Sequence, residues 1–178
     1  MATENELAVL KVSAVSWGEF KPHEAKAVDL RYVPDERHRV KRGDLLVSRA
    51  NTLELVGAAV RVERDYPNRL LSDKTLRLLV DKSKIFPGYL VQVLRMPEAR
   101  AHIQLNATGT SDSMRNISQD TLRATPIPLP AIAIQEKIAK SMQRLDTLIN
   151  EIRVAVTSQL GDINLLPSRL LAQVFEGC

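Results

Sequence analysis

Cysteine is all but absent: the one thiol, Cys178, is the last residue, so no internal disulfide can form and no cysteine-rich zinc site can be built. That scarcity points to a reducing, cytoplasmic compartment. Aromatic residues make up 4% of the 178, with one Trp, three Tyr and three Phe, too few to stack a run of unpaired bases. A sheet that reads single-stranded nucleic acid is therefore disfavoured, and the core must rest on Leu, Ile, Val and Ala. No run approaches the ~18 apolar residues that a bilayer span needs, and the opening MATENELAVL lacks the basic start and apolar stretch of a secretion signal. A soluble chain with no membrane role is expected. Neither sign of charge dominates: 25 Lys and Arg against 21 Asp and Glu leave +4, which permits phosphate binding without demanding it. The length and the 44% hydrophobic content suit one globular domain with an extension, or two small ones.

Up to about residue 129 the chain reads as short β-type runs between breakers: AVLKVSAV, DLLVS, GAAVRV and TLRLLV. Val60 and Val62 alternate with polar neighbours, as on a half-buried strand, whereas PNRLLSDK reads as a charged loop. YLVQVLRMPEARAHI reads as helix, because Pro87-Gly88 makes a good start and Leu90, Val91 and Leu94 fall on one face. A composition break follows at TPIPLP, where Pro126, Pro128 and Pro130 force an extended segment.

Beyond that break the pattern changes. Apolar residues recur at Ile138, Met142, Leu145, Ile149, Ile152 and Val156, the alternating steps of four and three that make a heptad seam. The seam skips Gln159 and resumes at Ile163, Leu166 and Leu170; Pro167 predicts a kink and then a last short helix ended by Gly177. Residues 1–130 hold 20 basic and 16 acidic side chains, while residues 131–178 hold five of each, so the whole excess charge sits on the first part. A neutral helix with one narrow seam is suited to meeting another helix, and the charged part to binding.

Catalytic patterns are weak. No Gly-rich phosphate loop is present, and His23, His38 and His102 lack metal-ligand spacing. A small nuclease would need Mg²⁺ on carboxylates such as Asp35, Asp44 or Asp73, but the only Glu-x-Lys triplet, Glu24-Ala25-Lys26, precedes them and reads as chance. The run RHRVKRGDLLVSRAN gathers Arg37, Arg39, Lys41, Arg42 and Arg49 around a Gly-Asp turn. Its side chains suit a phosphate backbone, and Arg49 and Asn51 suit bidentate bonds to guanine and adenine edges; a solvated charged turn is the plain alternative. HIQLNATGTSDSMRNISQD is a polar stretch with Arg115 and Asn116 beside hydroxyls, and Ser118 with Thr121 or Asp120 reads as the start of a short helical turn.

The order of these signals resembles the DNA specificity subunit of type I restriction-modification systems. Gly43-Asp44-Leu-Leu-Val-Ser48-Arg49, Val56-Gly57, Ala107-Thr-Gly109-Thr, Asn116-Ile117-Ser118 and Ile127-Pro-Leu-Pro130 with Gln135 and Ile138 carry the resemblance, which closes on Leu166-Pro167 and Phe175-Glu-Gly177. It implies an α+β fold: a mixed α/β target recognition domain over residues 1–129, then over 130–178 a long C-terminal helix forming an antiparallel coiled coil. It implies no catalysis and no cofactor in this chain. S-adenosylmethionine would serve the modification subunits, and ATP with Mg²⁺ the restriction subunits. It also implies a half subunit or a fragment, since family members carry two recognition domains and two helices, and each domain opens with a short helical segment not found before Leu7. Gly43, Gly57 and Gly109 carry over as turn positions, and Pro130 to Gln135 as the hinge and helix start.

Sequence-specific recognition of double-stranded DNA is thus the expected function, with a non-DNA coiled-coil assembly protein as its rival. Expected DNA contacts are Lys41, Arg42, Arg49, Asn51, Lys74, Arg100, Arg115 and Asn116. Ile138, Met142, Leu145, Ile149, Ile152, Val156 and Ile163 are expected to pair two copies, over a 131–166 helix about 54 Å long at ~1.5 Å per residue.

Overall fold

A computed structural model describes residues 2–29, 31–111 and 114–176, with backbone only at Thr110 and from residue 169 on. The chain divides into a compact unit, Met1–Ala139, and a second unit that begins at Lys140.

The compact unit is α+β. Among the described residues ten short strands form three small sheets: β1 (Ala8–Leu10), β2 (Ala25–Ala27), β3 (Arg39–Val40), β4 (Leu45–Ser48), β5 (Ala50–Asn51), β6 (Ala59–Arg61), β7 (Tyr66–Leu70), β8 (Thr75–Leu78), β9 (Thr108–Ser111) and β10 (Met114–Asn116). The sheet orders are β2-β1-β7-β3, β6-β4-β8 and β5-β10-β9, and all pairings are antiparallel except β1 with β7. Among the described residues three short α-helices, α1 (Pro87–Val93), α2 (Pro97–Leu105) and α3 (Gln119–Arg123), precede a long one, α4 (Ile132–Glu176).

β4 is the hinge of the packing. Its apolar run is buried on both faces because successive side chains point to opposite sides of a strand. Leu46 joins Leu10, Val15, Val40, Val60 and Val62 in one core, while Leu45 and Val47 join Tyr89, Val93, Ile103 and Ile117 in another. The alternation at Val60 and Val62 holds for the same reason, with Arg61 exposed between them.

Two expectations for the strand-rich part of the chain need correction. The segment after Pro87 is two helices: Met96 takes an extended conformation (ψ 148°), as a residue before proline must, and Pro97 opens α2. PNRLLSDK is no simple loop, for its first half lies in β7 between β1 and β3. What misleads is Arg69, which is charged yet 3% exposed. Its guanidinium donates to the carbonyls of Thr3, Glu6, Pro22 and Asn68, so the sheet buries a cation each of whose three nitrogens is hydrogen-bonded.

Gly43, Gly57 and Gly109 have φ of +86°, +77° and +134°. A Cβ at Gly57 would lie 2.8 Å from Ile103 Cγ2, and one at Gly109 would lie 2.6 Å from the Met114 carbonyl oxygen, so both turns need glycine for space as well as conformation. Ser118 caps α3 through its hydroxyl, which accepts from Thr121 N at 2.9 Å.

The first turns of α4 belong to the compact unit. Gln135 is fully buried: its Oε1 accepts from Phe86 N at 2.8 Å, and its Nε2 donates to the carbonyls of Lys84 (3.0 Å) and Pro130 (2.7 Å). Tyr89 donates its hydroxyl proton to the Pro128 carbonyl, pinning the proline segment. α4 continues through Pro167 as a single element, so the separate last helix is not formed. Proline removes its own backbone bond and crowds the carbonyl four residues back, and Ser168 Oγ donates to the Leu165 carbonyl at 2.9 Å beside it. The expected stop at Gly177 lies outside the described residues. No helix among the described residues is long and apolar enough to cross a membrane.

Candidate nucleic-acid interface

Five of the eight expected contact residues converge, and backbone hydrogen bonds bring them together. Arg49 sits in the bend between β4 and β5; its N–H donates to the Lys74 carbonyl at 2.8 Å, and its own carbonyl accepts from Ile117 N at 3.0 Å. β10 lies antiparallel to β5, with Arg115 opposite Asn51 and Asn116 opposite Ala50. The exposed side chains at this junction are Arg49, Lys74 and Asn116, while Arg115 is half-buried.

Not all five present their polar atoms outward. Asn51 is 8% exposed; its Nδ2 donates to Ser48 Oγ, and its Oδ1 accepts from Thr52 N. Its amide therefore shapes the start of the following loop. Arg115 reaches across the β9–β10 pair to donate to the Gly109 carbonyl at 2.8 Å.

Lys41 and Arg42 lie at the other end of β4, before Leu45. Carboxylates fix their turn: Asp44 Oδ2 accepts from Lys41 N and Asp65 Oδ1 from Arg42 N, leaving both basic side chains exposed. Arg100 stands apart on α2. It donates to the carbonyls of Val56, Glu54 and Leu53 and lies 5.0 Å over the Trp17 ring, gripping the loop between β5 and β6. Burial pulls its guanidinium pKa below the ordinary value.

Two of the three carboxylates weighed for a nuclease, Asp35 and Asp44, are otherwise engaged. Asp35 is held down to about 2 by hydrogen bonds from the Arg37 side chain and then its backbone N–H. Asp44 accepts from Arg77 Nη2 at 2.8 Å. Among the described residues no three His, Cys, Asp or Glu side chains gather as metal ligands.

One feature was missed in the sequence. A groove of about 530 Å³ runs over Val9, with Lys11 and Lys26 on one side and Ser72, Asp73 and Lys74 on the other. Lys26 sits alone between two alanines in a three-residue strand, a context too short to show its face. Glu24 of the same triplet accepts from Ser13 Oγ at 2.8 Å and pairs with Lys11 at 3.7 Å.

Residues 76–160 match the family model described as type I restriction modification DNA specificity domain. Over 155 residues the chain is 29% identical to the type I restriction enzyme EcoEI specificity subunit of Escherichia coli, covering 87% of this chain and 26% of that protein. It is 33% identical over 151 residues to the putative type I restriction enzyme MjaX specificity subunit of Methanocaldococcus jannaschii, covering 83% of this chain and 33% of that protein. The chain thus spans about a quarter to a third of the length of these curated relatives. The fold is similar to the crystal structure of the HsdS subunit from Thermoanaerobacter tengcongensis, with TM-score 0.65 and 18% identity over 90% of this chain and 40% of that one. It is also similar to a chain solved in work on complex assembly and conformational transition of the type I R-M system, with TM-score 0.70 and 18% identity over 94% of this chain and 43% of that one.

Proposed function

Because the chain belongs to the family of type I restriction-modification DNA specificity subunits, we propose that it recognises a short sequence in double-stranded DNA and directs modification and restriction subunits to it. The observation that carries this reading is the junction at which Arg49, in the bend between β4 and β5, Lys74, in the turn before β8, and Asn116, at the end of β10, are exposed and joined by backbone hydrogen bonds. Arginine and asparagine there suit bidentate bonds to base edges, and lysine suits a phosphate. Lys41 and Arg42 are second phosphate contacts, at the other end of β4. Asn51, Arg100 and Arg115 act from within, holding the loops that carry the contacts.

The chain selects and does no chemistry of its own. Methyl transfer from S-adenosylmethionine and ATP-driven restriction belong to the partner subunits, in the cytoplasm where the DNA is. Two copies pair through the seam of α4, antiparallel, so that the site read is two inverted half-sites around an unread spacer. Half-exposed Met142, Leu145, Ile149, Ile152, Val156 and Ile163 support that pairing, since each stays wet in a lone chain. Ile138 is already partly buried against the compact unit's core.

Binding to duplex DNA, followed by anisotropy across a range of salt, tests this reading. The affinity falls steeply with salt, in proportion to the ~4 to 6 phosphates neutralised. Lys41→Gln and Arg42→Gln weaken all sequences alike, whereas Arg49→Gln costs roughly 1 to 3 kcal/mol only at sites that hold its preferred base. A flat salt response, or no binding, would support the assembly protein instead.

A further inference from the structure

We propose that the groove over Val9 seats the DNA backbone, with Lys26 and Lys74 gripping phosphates from its two walls and setting the position from which Arg49 and Asn116 meet the bases. This rests on the DNA-recognition reading above and adds to it a positioning site on a different sheet.

The register places Lys26. It lies directly opposite Val9 in the antiparallel β1–β2 pair, on the edge strand of the β2-β1-β7-β3 sheet. Val9 points away from the core that holds Ala8 and Leu10, and so does its partner Lys26. The opposite wall is the segment leaving β7, Ser72 to Lys74. Neither Lys26 nor Lys74 has an ion pair or side-chain hydrogen bond among the described residues, so two lysines line one groove without a counter-charge of their own. Lys11 is partly neutralised by Glu24, Asp73 is the one carboxylate on the rim, and Ser72 Oγ is engaged with Thr75 Oγ1.

Connectivity singles out a polymer over a free anion. The Lys74 carbonyl accepts the Arg49 N–H, and the Arg49 carbonyl accepts the N–H of Ile117, the residue after Asn116. A phosphate held at Lys74 is therefore tied by two backbone hydrogen bonds to the exposed Arg49–Asn116 pair. Only a ligand that extends beyond one phosphate engages both. Contacts to the backbone fix register and carry no sequence information, so the groove supplies affinity and the junction supplies choice.

The test measures the slope of log affinity against log salt for the full chain on a 30-base-pair duplex of mixed sequence. Lys26→Gln and Lys74→Gln each lower the slope by about 0.9, and the double variant by about twice that. Their melting temperatures stay at the wild-type value, Lys26→Arg keeps the full slope, and Lys82→Gln, on an exposed turn outside the groove, changes nothing. A double variant with the wild-type slope, alongside an Arg49→Gln variant that loses its preferred site, would overturn the groove and leave the recognition reading intact. A Lys26→Gln loss confined to one sequence would make Lys26 a base reader and overturn the division of labour. Failure of the wild type to bind the duplex overturns both.

Discussion

Replacing Gln135 with alanine lowers the stability of the compact unit by about 3 to 5 kcal/mol, since each buried polar group left unpaired costs about 1 to 3 kcal/mol. Three backbone groups lose their partner at once: Phe86 N–H and the carbonyls of Lys84 and Pro130. They belong to the start of α1, the turn before it and the proline segment, so one amide ties three otherwise separate pieces of chain to the first turns of α4. Shape alone does not replace it. Gln135→Met, of similar volume, restores packing but no hydrogen bond and stays destabilised by more than half of the alanine loss. The fluorescence of Trp17, the only tryptophan, reports unfolding in urea, because that ring packs against the compact unit's core beneath Arg100. A loss below about 1 kcal/mol, the net worth of a single ordinary hydrogen bond, would show that the three bonds are not cooperative supports.

Ile149→Glu abolishes pairing of two copies at micromolar concentration. Ile149 is 52% exposed in the lone chain and lies mid-seam, with Leu145 and Ile152 flanking it. Covering each such side chain contributes roughly 1.5 to 3 kcal/mol. A carboxylate in the same place must be desolvated, at an effective cost of several kcal/mol per ion. The association constant therefore falls by at least about a thousandfold, which corresponds to ~4 kcal/mol. Val154→Glu is the control, for Val154 is 70% exposed and falls outside the four-three series, so the pair survives it. Light scattering distinguishes the outcomes. A wild-type monomer at tens of micromolar, or a pair indifferent to Ile149→Glu, contradicts the coiled coil.

What the sequence made legible follows from period and from punctuation. DLLVS, GAAVRV and TLRLLV contain strands because each is a short, dense apolar run set between breakers, and the four-three series stands out because nothing interrupts it until Gln159. Prolines and glycines marked real boundaries at Pro87, Gly43, Gly57 and Gly109, whereas the boundary at Pro97 was read through as continuous helix. Hidden features were those in which charge and burial disagree. Arg69 made β7 read as a loop because its four partners are backbone carbonyls, from residues far off in sequence or from its neighbour, and a backbone carbonyl leaves no trace in the sequence. Arg100 read as a DNA contact although it grips the loop after β5. Lys26 went unread because a three-residue edge strand carries too little alternation to tell an outward lysine from an incidental one. The junction itself was half legible: the residue types around Arg49 and Asn116 were, but their meeting depends on β10 pairing with β5, some sixty residues earlier in the chain.

Selection from a random duplex library, by the full chain with the modification subunit present, tests the central claim most directly. Recognition by this fold predicts that the recovered pool converges on a short sequence, repeated in inverted orientation around a spacer of unconstrained bases, and that Arg49→Gln relaxes one position within it while Lys26→Gln relaxes none. A pool recovered with the base composition of the input, at binding that still responds to salt, would contradict sequence recognition and reduce the chain to a basic surface with a helix attached.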